Sequence, residues 1–147
     1  MAKVVAVCTS KDRRKPKEPQ AEAMLVRGKG IEGDSHFGLT ERQVSLLRSE
    51  DICEAERSAG FPFPPGSLAE NLVIEGLPED LLPGQGLAIG PDVRLRVVEK
   101  GKKAGEPHTY DYRGWCLLPT KGFFLSVERG GTVVPGMEVV LEGEARD

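Results

Sequence analysis

No apolar segment in this chain of 147 residues runs long, and nearly every one is closed by glycine or proline. That punctuation constrains the fold more than any other feature. The segments Lys3–Cys8, Ala21–Val26, Arg42–Leu47, Glu70–Gly76, Gly86–Gly90, Val93–Glu99, Phe123–Val127 and Met137–Glu142 are short, β-branched or alternating, as half-buried strands are. Gly90-Pro91-Asp92, Gly130-Gly131 and Pro135-Gly136 supply turns between them. One helix is predicted, with Ser49 as N-cap, Glu50 and Asp51 in its first turn and Gly60 as the residue that ends it. Ile52, Ala55 and Ala59 would face the core from it. Many short strands with one or a few short helices predict a mainly β protein. A closed or nearly closed β-barrel is the arrangement that best protects the strand edges.

Composition narrows the function classes. The length suits one domain with a core that needs no disulfides. The net charge of −3 argues against a nucleic-acid or anionic membrane surface as the general partner. No apolar run approaches the roughly 20 residues that span a bilayer, and the N-terminus lacks signal-peptide order, so a cytoplasmic protein is expected. Three scattered cysteines, Cys8, Cys53 and Cys116, make neither a disulfide framework nor a four-thiolate zinc site. Any cysteine chemistry must rest on one thiol. Cys8, in a core strand, and Cys53, on the helix, are expected to be inert. The loop Ser10–Gln20 gathers five basic residues with no aromatic among them, which predicts a solvated connection, with an anion-binding or partner-binding loop as the alternative.

The candidate site begins at Gly28–Leu47. Glycines at 30, 33 and 38 permit a tight loop that aims Asp34 and His36, one of two histidines, into one small space. Alternation over Arg42–Leu47 puts Gln43 and Ser45 on one strand face and Arg42 on the other, as polar groups offered to a barrel mouth. Glu70 and Asn71 follow the Pro/Gly loop at residues 64–66 and precede an apolar strand, where a carboxylate and an amide can position a polar ligand. His36 and Arg42 suit an oxyanion. Asp34, His36 and His108, with Cys116, would alternatively make a metal-ligand set, although their spacing is not diagnostic.

"GIEGDSHFG", "RQVSLL", "PGSLAENLVIEGL", "LAIG", "LRVVEKGK" and "CLLPTKGFFLSVERGGTVVPG", in that order, strongly resemble the small stand-alone MOSC domains, named for the C-terminal domain of molybdenum cofactor sulfurase. The resemblance spans nearly the whole chain and implies a single MOSC-like domain over residues 1–147, a β-barrel with a ligand pocket. It also implies binding of molybdenum cofactor and a role as sulfur carrier or transferase through a cysteine persulfide. Pyridoxal phosphate would belong to a partner cysteine desulfurase, since no domain for it fits here; a molybdoenzyme is the other implied partner. Asp34, His36, Arg42, Gln43, Ser45, Glu70 and Asn71 match the family's pattern as pocket residues.

The cysteine region departs from that pattern. Where such proteins usually show Gly-Lys-x-Cys-His, this chain has Gly101-Lys102-Lys103-Ala104-Gly105; where they show Gly-Asp-Cys-x-Met-Pro, it has Gly114-Trp115-Cys116-Leu117-Leu118-Pro119. Cys116 is thus the candidate sulfur-bearing residue, with Lys102, His108 and Arg113 as possible support for its thiolate. Trp115 would either stack on a pterin-like ring or plug the barrel end. A non-catalytic barrel that binds a protein partner is the remaining alternative.

Overall fold

The computed structural model describes residues 2–13, 15–39, 42–101 and 111–144. In chain order the elements are β1 (Ala2–Thr9), β2 (Glu18–Pro19), β3 (Ala23–Val26), β4 (Gly30–Ile31), β5 (Val44–Arg48), α1 (Ser49–Ala59), β6 (Leu72–Glu75), β7 (Gln85–Ile89), β8 (Val93–Lys100), α2 (Leu118–Lys121), β9 (Phe123–Arg129), β10 (Gly131–Val133) and β11 (Glu138–Glu144). Seven strands in the order β11-β7-β8-β9-β5-β6-β1 form a barrel, closed where β1 pairs with β11. The fold is mainly β, as expected. β5 and β6 are parallel because α1 carries the chain across between them; every other barrel pair is antiparallel. A smaller sheet, β10-β3-β4, completes the structure.

Strand alternation divides the apolar residues into two clusters. Val4, Leu46, Leu72, Leu87, Leu95, Leu125 and Val139, one from each barrel strand, meet in the first, which fills the interior. Full burial of side chains this size is worth roughly 1.5–3 kcal/mol each. The second lies on the outer face of β1, β5 and β6: Ala6, Cys8, Leu47 and Val73 pack there against Ile52 and Ala55 of α1 and against Phe63, Leu68 and Leu117. A bulge between Val4 and Ala6 lets β1 serve both layers.

The helix ends as predicted, with Gly60 left-handed at φ 82°. Its start differs. Ser49 is already helical and the N-cap position is Arg48, which makes no side-chain cap. Instead Arg48 donates from Nη1 to Asp51 Oδ1 at 3.1 Å and from Nε to the Leu77 carbonyl at 2.9 Å. The strand expected from Arg42 begins at Val44, because Arg42 has a left-handed backbone at φ 57° that no strand accepts. Among the described residues, no helix is long and apolar enough to cross a membrane.

Candidate functional site

The glycine loop does bring Asp34 and His36 together, and it does so around a buried cation. β3 and β4 pair through Leu25–Ile31 and Val26–Gly30, and Gly33 (φ 84°) then turns the chain back. Asp34 Oδ2 accepts from the His36 backbone N–H at 3.1 Å, an Asx-type turn, while Oδ1 accepts from the Ser10 N–H at 3.1 Å. Lys17 Nζ donates to Oδ1 at 2.7 Å, and both side chains are buried. Burial alone would raise the Asp34 carboxyl, but hydrogen bonds from His36 and Lys17, with the Lys17 charge, hold it well below the usual carboxylate range. His36 Nδ1 lies 3.5 Å from Asp34 Oδ2 and 3.3 Å from Ser35 Oγ. The ring is 35% exposed, so Asp34 orients a histidine at the rim.

Lys17 corrects the expectation for the basic loop. It is one of five basic residues in a stretch predicted to be solvated, yet it turns inward, and nothing in the local sequence separates it from its exposed neighbours.

Glu70, Asn71 and Ser45 form a second polar set whose hydrogen-bonding groups are turned onto the protein itself. Glu70 accepts from the Gly66 and Leu68 N–H groups at 2.9 and 3.1 Å. Burial pushes its carboxyl up to about 7, against those donors, which favour the ionised form. Asn71 Oδ1 accepts from Ser45 N at 3.0 Å and from Ser45 Oγ at 3.2 Å, and Asn71 Nδ2 donates to the Cys8 carbonyl at 3.0 Å. These residues staple β5, β6 and β1 to the loop before β6. The barrel interior is packed with apolar side chains, so Ser45 is not presented at a barrel mouth; alternation places it on the outer face with Leu47.

Gln43 is also built in: Nε2 donates to the Gly28 carbonyl at 3.0 Å and Oε1 accepts from the Val127 N–H at 3.1 Å, which ties the β3–β4 turn to β9. Arg42 remains partly exposed. Its Nε donates to Glu99 Oε1 at 2.8 Å and its guanidinium lies 5.3 Å from the Phe124 ring centroid. Arg42 combines a left-handed backbone, φ 57°, with a side chain oriented by an ion pair and a ring contact.

Cys116 follows a two-residue turn in which Tyr112 and Trp115 pair and Arg113 (φ 53°) and Gly114 (φ 89°) are left-handed, as a type I′ turn requires. Arg113 stacks on Phe61, with Cζ 3.9 Å from the ring centroid, so its charge is directed at a ring. Trp115 packs 5.7 Å from Phe63, centroid to centroid, and both belong to the outer cluster. Trp115 therefore covers part of the outer face and does not plug the barrel end. Cys116 itself is half-buried. Lys102 and His108 lie outside the described residues.

One apolar cluster runs from the buried polar network to the residues flanking Cys116. Cys8 and Leu68, beside the Lys17–Glu70–Asn71 network, and Tyr112, Trp115 and Leu117, flanking Cys116, all join the same outer cluster. Among the described residues, no group of three or more His, Cys, Asp or Glu side chains is placed to hold a metal ion. Cys8 is fully buried; burial, then the Glu70 charge, pushes its thiol up to about 12, which leaves Cys8 unreactive.

The structure is similar to YuaD from Bacillus subtilis (TM-score 0.73, 20% identity, 96% of each chain covered). It is also similar to YiiM from Geobacillus stearothermophilus (TM-score 0.69, 19% identity, 97% of this chain and 76% of that one). YiiM from Escherichia coli is a third relative in structure (TM-score 0.65, 18% identity, 99% and 72% covered). At these identities the likeness establishes the fold. A search of curated proteins gave no match. The family model of the MOSC domain matches residues 32–140, a span that includes Asp34, His36, the Ser45–Asn71 staple and Cys116, and the chain belongs to the MOSC domain family.

Proposed function

We propose that this MOSC barrel carries sulfur as a persulfide on Cys116 in the service of molybdenum cofactor. The observation that carries the reading is the setting of Cys116. Cys8 is sealed in the core and Cys53 stands exposed on α1, whereas Cys116 is half-buried directly after the Tyr112–Trp115 turn, between Trp115 and Leu117, which join the outer-face cluster. A carrier thiol needs that compromise between access and shelter.

The exchange needs no external oxidant. The Cys116 thiolate attacks the outer sulfur of a persulfide on a cysteine desulfurase; the donor's S–S bond breaks as the Cys116 Sγ–S bond forms, and the donor leaves as a thiolate. A cytoplasmic setting goes with this reading, because such thiols must stay reduced.

The donor types fit the anionic end of a molybdopterin-type ligand: the partly exposed imidazole of His36 and the planar guanidinium of Arg42, which is paired with Glu99, are groups that suit oxyanions. When bound, the cofactor would supply the molybdenum centre that receives the sulfur. Asp34 orients His36, and Gln43, Ser45, Glu70 and Asn71 shape the wall without offering the ligand their polar atoms. Intact-protein mass spectrometry after incubation with a cysteine desulfurase, pyridoxal phosphate and cysteine tests the reading. A reducible gain of one sulfur, lost in Cys116→Ser and kept in Cys53→Ser, is expected. No gain in the native protein would reduce the function to ligand or partner binding.

A further inference from the structure

We propose that the arch from Ser10 to Lys17 is a docking surface for an acidic segment of a partner protein, independently of any chemistry at Cys116. The arch is fixed at both ends. Ser10 donates to Asp34 and accepts from the Ser35 N–H at 2.8 Å; Lys17 donates from its backbone to the Gly66 carbonyl at 2.8 Å and from its side chain to Asp34. Beyond it, β2 pairs with β1 through Cys8–Pro19 and Thr9–Glu18.

With Lys17 anchored inward, Lys11, Arg13 and Lys15 are exposed between the two anchors. Asp12 offsets one of these three charges and leaves the arch net positive. It lies 3.9 Å from Lys15 with both side chains about two-thirds exposed, where such pairs are weak. A cationic arch on a chain of net charge −3 gives the molecule a charge asymmetry, which steers and orients an acidic partner. The same facts disfavour other anionic surfaces. Ser10–Gln20 contains no aromatic residue to stack on bases and no large apolar side chain to enter a bilayer. A segment seated on the arch would lie beside His36, because Ser10 touches both Asp34 and Ser35.

The probe is poly-L-glutamate, with duplex DNA of matched charge as competitor, followed by fluorescence anisotropy at low and high salt. The native chain is expected to bind poly-L-glutamate with an affinity that falls as salt rises, and DNA is expected to compete poorly. Lys11→Glu/Arg13→Glu/Lys15→Glu should weaken binding at least about tenfold. Arg57→Glu, on the exposed face of α1, should leave it unchanged. Equal melting temperatures for the native and triple-variant proteins would confirm that the side chains act at the surface. No binding, binding unaffected by the triple variant, or DNA bound as tightly as poly-L-glutamate would each overturn the proposal.

Discussion

Lys17 and Glu70 set the buried electrostatics of the site, and each makes a separate prediction. Replacing Lys17 with Met removes the cation that neutralises Asp34 while leaving the carboxylate sealed, so the loss should approach the roughly 3–5 kcal/mol that follows from breaking a buried pair. Urea titration measures it, and the double variant Lys17→Met/Asp34→Asn should recover part of the loss. A single-variant cost under about 1 kcal/mol would mean that water reaches the pair. Glu70 titrates near 7 when folded and near 4.5 when unfolded, so between those values the folded protein holds a proton that the unfolded chain has released. Stability from this group is therefore present at low pH and lost as pH rises through that window, by an amount on the order of 3 kcal/mol. Asp34 acts in the opposite sense, since its contribution is present above 3.8 and lost as pH falls below it. Unfolding free energy should accordingly decline from pH 5 to pH 7.5. Glu70→Gln should flatten that slope while costing about 1–3 kcal/mol, because an amide accepts from only one of the two N–H donors. An unchanged slope would assign the pH dependence to another group. Asp34, His36, Glu70 and Asn71 stand out in the sequence because turn chemistry surrounds them. Lys17 does not, since a buried lysine in a basic loop has the same letters around it as an exposed one.

At the scale of elements, the join between the basic arch and the loop before β6 rests on Gly66. Its φ is 87°, and a Cβ built there would overlap the Lys17 carbonyl oxygen. Gly66→Ala should therefore cost the roughly 1–2 kcal/mol of a left-handed alanine and the displacement of the arch besides. The urea midpoint should fall, and binding of poly-L-glutamate should weaken even though no exposed charge has changed. Retained binding with lowered stability would show that the arch needs no anchor at this point. Long alternating segments were legible as strands: β1, β8, β9 and β11 lie where their pattern puts them, within a residue or two. The two-residue strands β2 and β4 and the three-residue β10 were not, because so few positions carry no period. The single turn of α2 escaped for the same reason, although Pro119 in its first turn is a usable signal. β5 lost its first two predicted residues because Arg42 is left-handed, with its side chain on Glu99 and Phe124, both distant in sequence.

For the whole molecule, closure depends on a join that no local pattern announces. The alternation of the strands predicted a barrel because open edges are unfavourable, but which strands meet at the seam is decided by packing of the complete chain. β1 meets β11 through Ala2–Val139 and Lys3–Glu138, extended by the Val4 N–H to the Met137 carbonyl at 2.9 Å. The β8–β9 pair instead runs from Arg94–Arg129 to Lys100–Phe123 and is joined by a much shorter stretch of chain than the one separating β1 from β11. A short ladder that closes the longest loop gains least from its bonds and requires the largest loss of chain entropy. The seam should therefore open at a lower free energy than the β8–β9 ladder, without global unfolding. Native-state hydrogen exchange followed by NMR checks this directly. The Val4 and Val139 amides are expected to exchange through a partial opening with weak denaturant dependence, while those of Leu95, Val97 and Leu125 exchange only with global unfolding. Equal protection at both places would show that the barrel opens as one cooperative unit. Early exchange at Val4 alone would make the seam the element that governs how the outer-face site, attached through Cys8 on the same strand, is lost.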